Sequence, residues 1–303
     1  MSAAITTTLI EWFRQNGRDL PWRHTRDPYR ILVSELMLQQ TQVERVIPKY
    51  HAFLDLFPDV YALASAPTSA VITAWQGLGY NRRAIYLQRT AQAVVTQYDG
   101  QFPHDVAALR ALPGIGDYTS GAIACFAFGQ DVAFLDTNIR RVVLRVWSDP
   151  HGEVPDEKTL RTLAAEYVPA GHGWWWNQAI MELGAVTCTA TKPKCPTCPL
   201  RGFCNDYAAR LAADQALEPL PQRPARRVAE RKDAPFIGSN RYIRGRIIDY
   251  LRQMPTGTDQ PALTTHLATL GLSIDETRLT TVIAGLVRDG LIHRDGDAIR
   301  LPE

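Results

Sequence analysis

Cys188, Cys195, Cys198 and Cys204 fall in one short segment with the spacing C-x6-C-x2-C-x5-C. Four thiols so near one another along a chain make a soft donor set, and thiolate sulfur selects zinc or an iron–sulfur cluster over harder cations. A zinc ribbon carries two C-x2-C pairs separated by a longer loop. Here only Cys195 and Cys198 form such a pair, so the spacing favours a four-iron, four-sulfur cluster, with structural zinc as the alternative. Disulfides are disfavoured: the chain opens Met1-Ser2-Ala3-Ala4 with no charged segment leading into an apolar one, and no long apolar span follows. That points to a soluble protein in a reducing, cytoplasmic compartment. Cys125, in the apolar run Ala122-Ile123-Ala124-Cys125-Phe126, reads as a small buried side chain.

Two acids far upstream are the other residues with chemistry to offer. Glu35 stands on a predicted helix among Leu32, Leu36 and Leu38, and apolar surroundings raise a carboxyl pKa and keep the proton on. Asp136 opens a predicted helix, where it caps the first turn and the helix dipole favours its ionised form. Two carboxyls in unlike environments can divide acid and base work between them.

Helix is predicted almost everywhere before residue 210. Asp27-Pro28 opens the helix that carries Glu35, with Asp as cap and Pro at the first helical position. Thr41-Gln42-Val43-Glu44 reads as a capping box that starts the next helix at Thr41, followed by Val43, Val46, Ile47, Tyr50, Phe53 and Leu54 at helical spacing. Gln39 and Gln40 then fall at the break between the two. Further helices are expected at 84–98, 106–111, 119–128, 137–147, 157–168 and 177–184. Leu112-Pro113-Gly114-Ile115-Gly116 joins two of them through a turn with two glycines. It is either a plain helical connection or a helix–hairpin–helix, in which the backbone at Gly114 and Gly116 approaches a phosphate and the amides of the following turn, near Thr119, donate to it.

Composition supports two or three globular modules in 303 residues. The net charge of +2 is too small to identify a partner, but residues 223–252 hold nine Lys or Arg against three acids. That stretch is a solvated linker or a surface for phosphate.

Several motifs in order resemble the endonuclease III superfamily of DNA glycosylases: Glu35 within Val33–Thr41, the hairpin Leu112–Gly116, Asp136, and the four cysteines. Leu20-Pro21-Trp22-Arg23, Met37-Leu38-Gln39-Gln40-Thr41 and Gly77-Leu78-Gly79-Tyr80 resemble in particular the adenine DNA glycosylases of the MutY type, over about Ile10 to Tyr207. The resemblance implies an all-α, two-module helix–hairpin–helix glycosylase fold with DNA in the cleft. It assigns residues 1–208 to the catalytic region, with a six-helix barrel at about 22–132 and an iron–sulfur module from 1–21 plus 133–208. It also implies a [4Fe-4S] cluster on the four cysteines, and double-stranded DNA with a mispaired or damaged base as the partner of a monomer.

N-glycosidic hydrolysis protonates the leaving base and stabilises an oxocarbenium-like sugar, a task for two carboxyls. Glu35 is the expected general acid. Asp136 is the ionised group at the sugar, with Asn138 and Tyr118 matching positions that line the family's site. Endonuclease III, which also cuts the strand, has a lysine at the position matching Tyr118, so this chain is expected to be monofunctional. Gln40 and Tyr80 match the wedge that replaces an extruded base, and Thr41 belongs to the same motif. Arg18, Trp22, Arg23 and Gln178 match positions around the adenine. Trp174-Trp175-Trp176 reads as core, and Lys192, Lys194 and Arg201 as phosphate-facing.

The chain departs from that pattern at Asn81, where a second tyrosine is common, at Thr137, where glycine is common, and at the C-terminus, where the family's Nudix-like domain is not legible. Residues 209–240 read instead as a basic linker and 241–303 as a winged helix. Its elements are an amphipathic helix through Ile243, Ile247, Ile248 and Leu251, two more at 261–270 and 276–287, and a hairpin around Asp295-Gly296-Asp297. Arg278, Arg288 and Arg294 are its candidate phosphate contacts. The expected activity is excision of adenine opposite guanine or 8-oxoguanine. A thymine or uracil mismatch glycosylase is the rival within the superfamily. An iron–sulfur, redox-responsive DNA-binding regulator is the rival from another class, and it leaves Glu35 and Asp136 unexplained.

Overall fold

The computed structural model describes residues 2–213 and 236–303. Most of the expected basic linker, from residue 214 to 235, lies outside the described residues. No described helix is long and apolar enough to cross a membrane. Among the described residues the secondary structure is helical apart from one two-stranded sheet. The described residues form two compact units, one from 2–31, 104–110 and 115–213, the other from 32–103, 111–114 and 236–303.

The first unit is built on the helix Gly173–Val186, which packs against Ser2–Asn16, Thr137–Trp147 and Asp117–Phe126. Trp176, Ala179, Ile180 and Leu183 recur at helical spacing and are all buried, which fixes the face this helix turns inward. The helix starts four residues before the expected Asn177, because the tryptophans belong to it. Trp176 is core, Trp175 lies edge-on to Phe13 with Arg14 over its ring, and Arg26 covers Trp174. Gly184 permits a close approach: a Cβ there would stand 2.8 Å from the Cβ of Asn138. Cys125 is fully buried, as its apolar run predicts.

In the second unit the helices Val43–Leu56, Val60–Ser65, Thr68–Ala74 and Arg82–Tyr98 enclose Phe53, Leu63, Ile72, Trp75 and Leu87. The C-terminal helices Asn240–Leu251, Gln260–Thr269 and Glu276–Arg288 appear close to their predicted bounds. They are followed by the antiparallel strands His293–Asp295 and Ala298–Arg300, in register Arg294↔Ile299 around Gly296. Ile243, Ile247, Ile248 and Leu251 face inward as expected, and Ile72 and Ile85 join their cluster. Each such side chain taken out of water stabilises the fold by about 1.5–3 kcal/mol. The C-terminal helices therefore share one core with the helices Thr68–Ala74 and Arg82–Tyr98.

Candidate catalytic and DNA-contacting site

Asp136 caps the helix Thr137–Trp147, one carboxylate oxygen accepting the Ile139 amide at 2.6 Å. The other oxygen accepts from Asn138 Nδ2 at 3.0 Å. Asn138 is in turn fixed by Arg141, whose guanidinium donates to Asn138 Oδ1 at 2.8 Å, to the Gly184 carbonyl at 2.6 Å and to the Cys188 carbonyl at 2.7 Å. A run of hydrogen bonds thus leads from the carboxylate to the first cysteine of the cluster motif. Burial pushes the Asp136 carboxyl above its ordinary value, and the Ile139 and Asn138 hydrogen bonds and the Arg141 charge oppose that rise without cancelling it. The helix dipole alone predicts the reverse direction; here desolvation outweighs it. Tyr118 packs edge-on against Phe134, with ring centroids 5.4 Å apart.

Arg18, Arg23 and Gln178 come together around a residue that sequence reasoning missed. Glu182, one helical turn beyond Gln178, is fully buried and accepts from Arg18 Nε and Arg23 at 2.7 Å each. Arg23 also donates to Gln178 Oε1 at 2.8 Å and to the Arg18 carbonyl at 2.7 Å. Burial alone would raise the Glu182 pKa, but the hydrogen bonds and charges of the two arginines reverse this and leave it lowered. The only available signal was its i+4 spacing from Gln178. Trp22 is buried in the same unit, in the short turn Pro21–Arg23.

The cysteine loop closes against the same helix that carries Asn138 and Arg141. Arg145 donates to Cys188 Sγ at 3.3 Å and to the Thr189 carbonyl at 2.7 Å, and the Cys204 thiol donates to the Arg145 carbonyl at 3.3 Å. Burial first, and then the neighbouring cysteines, push Cys198 up to about 12 and Cys204 up to about 11. Thiols so desolvated give up their protons only with a cation among them, so the donor chemistry fits an iron–sulfur cluster. Among the described residues no three His, Cys, Asp or Glu groups stand close enough to grip a single ion. A cluster instead takes one thiolate at each of four separated irons. Lys192, Lys194 and Arg201 on this loop are exposed.

In the hairpin, the helices Val106–Ala111 and Asp117–Phe126 flank the turn. Gly114 has φ +78, and a Cβ there would fall 2.5 Å from that of Tyr86. Gly116 differs: it is extended, caps the helix without a side chain, and has nothing within 4 Å of a Cβ position. Its openness leaves room for a partner outside the protein. Thr119 is 3% exposed, so any phosphate contact at that position falls to the backbone and not to the hydroxyl.

The second unit carries Glu35, Gln40, Thr41 and Tyr80. Glu35 is buried on the helix Pro28–Leu38, which begins as predicted with Asp27 accepting the Tyr29 amide at 2.8 Å. The expected capping box at Thr41 does not form. The next helix begins at Val43 with Gln42 as cap, because the Thr41 hydroxyl is engaged elsewhere, accepting from Arg83 at 3.1 Å.

Arg83, also missed from sequence, is 7% exposed. Besides Thr41 its guanidinium reaches the carbonyls of Leu36 at 2.8 Å, Met37 at 3.0 Å, Leu78 at 3.0 Å, Gly79 at 3.1 Å and, closer still, Gln39. It thereby closes the C-terminal end of the Glu35 helix and the Gly77–Tyr80 turn in one clamp. Gln40 and Tyr80, on either side of it, both adopt left-handed backbone, with φ of 55 and 45. Such conformations cost a non-glycine residue about 1–3 kcal/mol and persist only where surroundings enforce them. Burial pushes the Arg83 pKa down to about 10, so it stays charged at neutral pH.

Residues 33–170 match the HhH-GPD superfamily of base excision DNA repair proteins, and residues 188–204 match the iron–sulfur binding domain of endonuclease III. The chain belongs to the HhH-GPD superfamily of base excision DNA repair proteins and, within it, to the family of the adenine DNA glycosylases. The adenine DNA glycosylase of Mycolicibacterium smegmatis is 37% identical over 290 residues, covering 95% of this chain and 92% of that relative. That of Homo sapiens is 40% identical over 214 residues, 67% of this chain and 39% of its own length. Among solved structures, a thermostable thymine-DNA glycosylase is similar with a TM-score of 0.65 and 32% identity, over 69% of this chain and 97% of that one. A non-covalent endonuclease III–DNA complex shares the fold with a TM-score of 0.59 at 20% identity, over 70% of this chain and 99% of its own. This chain is a DNA glycosylase, and its 188–204 segment binds a [4Fe-4S] cluster.

Proposed function

We propose that this glycosylase hydrolyses the N-glycosidic bond of adenine mispaired with guanine or 8-oxoguanine in double-stranded DNA and leaves an abasic site. The observation that carries the reading is the fixed carboxylate of Asp136, held by Ile139 and Asn138 in a chain that matches adenine DNA glycosylases along 95% of its length. Glu35, buried on its helix, protonates the leaving base and then helps deliver water. Asp136 stabilises the positive charge that develops at the sugar, with Asn138 holding its orientation and Tyr118 beside it. Tyr118 offers no amine, so no Schiff base forms and the strand stays intact. Gln40, with Thr41 behind it, and Tyr80 fill the space of the extruded base, while Arg18, Trp22, Arg23 and Gln178 form the wall that receives it. Gly114, Gly116 and the backbone at Thr119 take a phosphate. Cys188, Cys195, Cys198 and Cys204 hold the cluster. Hydrolysis transfers no electron, so the cluster's contribution is to staple a loop that presents Lys192, Lys194 and Arg201 to the DNA backbone. We place the enzyme in the cytoplasm on the nucleoid, acting as a monomer.

The likeness to a thymine-DNA glycosylase at 32% identity favours a second reading, thymine or uracil excision from mispairs with guanine. Duplexes with adenine, thymine, uracil or hypoxanthine opposite guanine or 8-oxoguanine separate the two. Excision of adenine alone, lost in Glu35→Gln, is the expected result; excision of thymine or uracil in preference overturns it. Borohydride trapping of a covalent complex would contradict the monofunctional assignment.

A further inference from the structure

Tyr80 is 43% exposed, and its hydroxyl accepts a hydrogen bond at 2.7 Å from Arg241, a residue 161 positions later in the chain. The Arg241 guanidinium also lies 5.0 Å from the Tyr80 ring centroid and 4.7 Å from that of Phe236. Arg241 sits in the first turn of the helix Asn240–Leu251, where the helix dipole disfavours a cation, and no acid stands in that turn. Its neighbours have carboxylate partners: Arg244 and Arg82 share Asp289, and Arg246 and Arg252 share Asp249. Arg241 makes no ion pair among the described residues. An exposed cation held over two aromatic rings, at an electropositive helix start and with no carboxylate partner among the described residues, fits an external anion.

The helix that carries Arg241 is anchored to the helices before it. Arg252, with its side chain 5% exposed, donates to the Ile72 carbonyl at 2.9 Å and to Asn81 Oδ1 at 3.2 Å. The Ser69 amide donates to the Pro302 carbonyl at 2.8 Å, and Ile72 and Ile85 complete the apolar cluster of the C-terminal helices. Asn81, one of the positions where the sequence departs from the MutY-type pattern, is thus an acceptor for the region that departs most. By contrast, Arg278, whose place on the third C-terminal helix suggested a phosphate contact, is engaged internally, with Asn240 Oδ1 at 2.8 Å and the Gly238 carbonyl at 2.6 Å.

We propose that the C-terminal helices are a fixed extension of the DNA-binding surface, in which Arg241 binds a backbone phosphate beside the nucleotide that Tyr80 displaces. When Tyr80 enters the stack its hydroxyl gives up Arg241, and the guanidinium moves to the strand. This rests on the wedge role proposed for Tyr80, but not on which base is removed.

The test uses the full chain with its cluster, and duplexes carrying a tetrahydrofuran abasic analogue opposite guanine, so that binding is read without excision. Arg241→Ala should weaken binding about tenfold, and the slope of log affinity against log salt should fall by about 0.9, the value for one phosphate fewer neutralised. Arg241→Lys should keep the slope and recover part of the affinity, while Tyr80→Phe, which removes only the hydroxyl, should leave the slope unchanged. Unchanged affinity and slope in Arg241→Ala would overturn the proposal, as would a slower saturated rate with an unchanged slope, which would make Arg241 merely a support for Tyr80. If the slope falls but no adenine is excised even by the parent protein, the phosphate contact stands and the substrate assignment fails.

Discussion

The turns that present candidate functional side chains are fixed in opposite ways in the two units. In the first unit Asp136 is held by its immediate neighbours along the chain, the amide of Ile139 and the side chain of Asn138, with Arg141 adding a link to Gly184 and Cys188. In the second unit the turns bearing Gln40 and Tyr80 have little local support, and a single buried guanidinium from Arg83 collects carbonyls from both. A locally capped residue tolerates change elsewhere. A turn gathered by one distant side chain loses its shape when that side chain goes.

Asp136→Asn should give the largest effect on activity and almost none on folding. Asparagine also caps helices, so the helix Thr137–Trp147 should persist while excision falls by at least about 10³-fold at saturating DNA, the scale expected when a residue acting on the transition state is removed. Burial raises the folded-state pKa of Asp136 above its ordinary 3.8, so ionisation is easier in the unfolded chain and folding loses stability as pH rises from the ordinary value to the raised one. Replacing the carboxylate by a neutral amide should therefore leave the melting temperature at neutral pH unchanged or higher. A marked loss of stability would show that local capping does not suffice.

Arg83→Met should do the converse. Leaving its acceptors without a donor in the interior costs about 1–3 kcal/mol for each group left unsatisfied, and Gln40 and Tyr80 should relax out of left-handed backbone. Thermal unfolding should detect the first effect. Weakened binding to an abasic-analogue duplex should detect the second, with Arg83→Lys restoring stability only partly because it lacks the planar fork.

Asp136 was legible in the sequence for the same reason that it is robust. An N-cap aspartate is a short-range pattern, and so are Asp27 before Pro28, the four cysteines, and the apolar spacing of Ile243, Ile247, Ile248 and Leu251. Arg83 was not legible, because nothing near residue 83 reveals that carbonyls some forty positions earlier will converge on it. The same long-range bond explains the failed capping box at Thr41, whose hydroxyl is drawn to Arg83 and away from its own helix. Glu182 was missed likewise: its arginine partners lie 159 and 164 positions upstream. Local rules found the residues that cap and ligate, and missed those that clamp.

A smaller change probes the outer layer of the first unit. Arg141→Leu leaves Asp136 its own cap but frees Asn138, so excision at saturating DNA should fall about 10–100-fold, as expected when a supporting hydrogen bond is lost, with iron content and affinity for duplex retained. Loss of iron instead would place Arg141 chiefly with the cysteine loop.

The smallest expected effect contrasts how the two units partner their arginines. Arg18 and Arg23 face a carboxylate, Glu182, whose pKa lies below its ordinary 4.5, whereas Arg83 faces carbonyl dipoles and one hydroxyl and keeps its charge until about pH 10. An acid with a lowered folded-state pKa contributes fully above pH 4.5, and that contribution drains away as pH falls through the folded value. Between pH 5 and 3 the parent protein should therefore lose urea resistance with a slope to which Glu182 adds at most about 1.4 kcal/mol per pH unit, the limit for one proton. Glu182→Gln should start from lower stability, because Arg18 and Arg23 lose their counter-charge, yet show a flatter acid slope. Arg83→Met should be less stable by a constant amount across the same range, since the group it removes does not titrate there. Parallel acid slopes for the parent and Glu182→Gln would mean that the carboxylate's protonation is uncoupled from folding and that the arginine pair is held by its hydrogen bonds to Gln178 and the backbone alone.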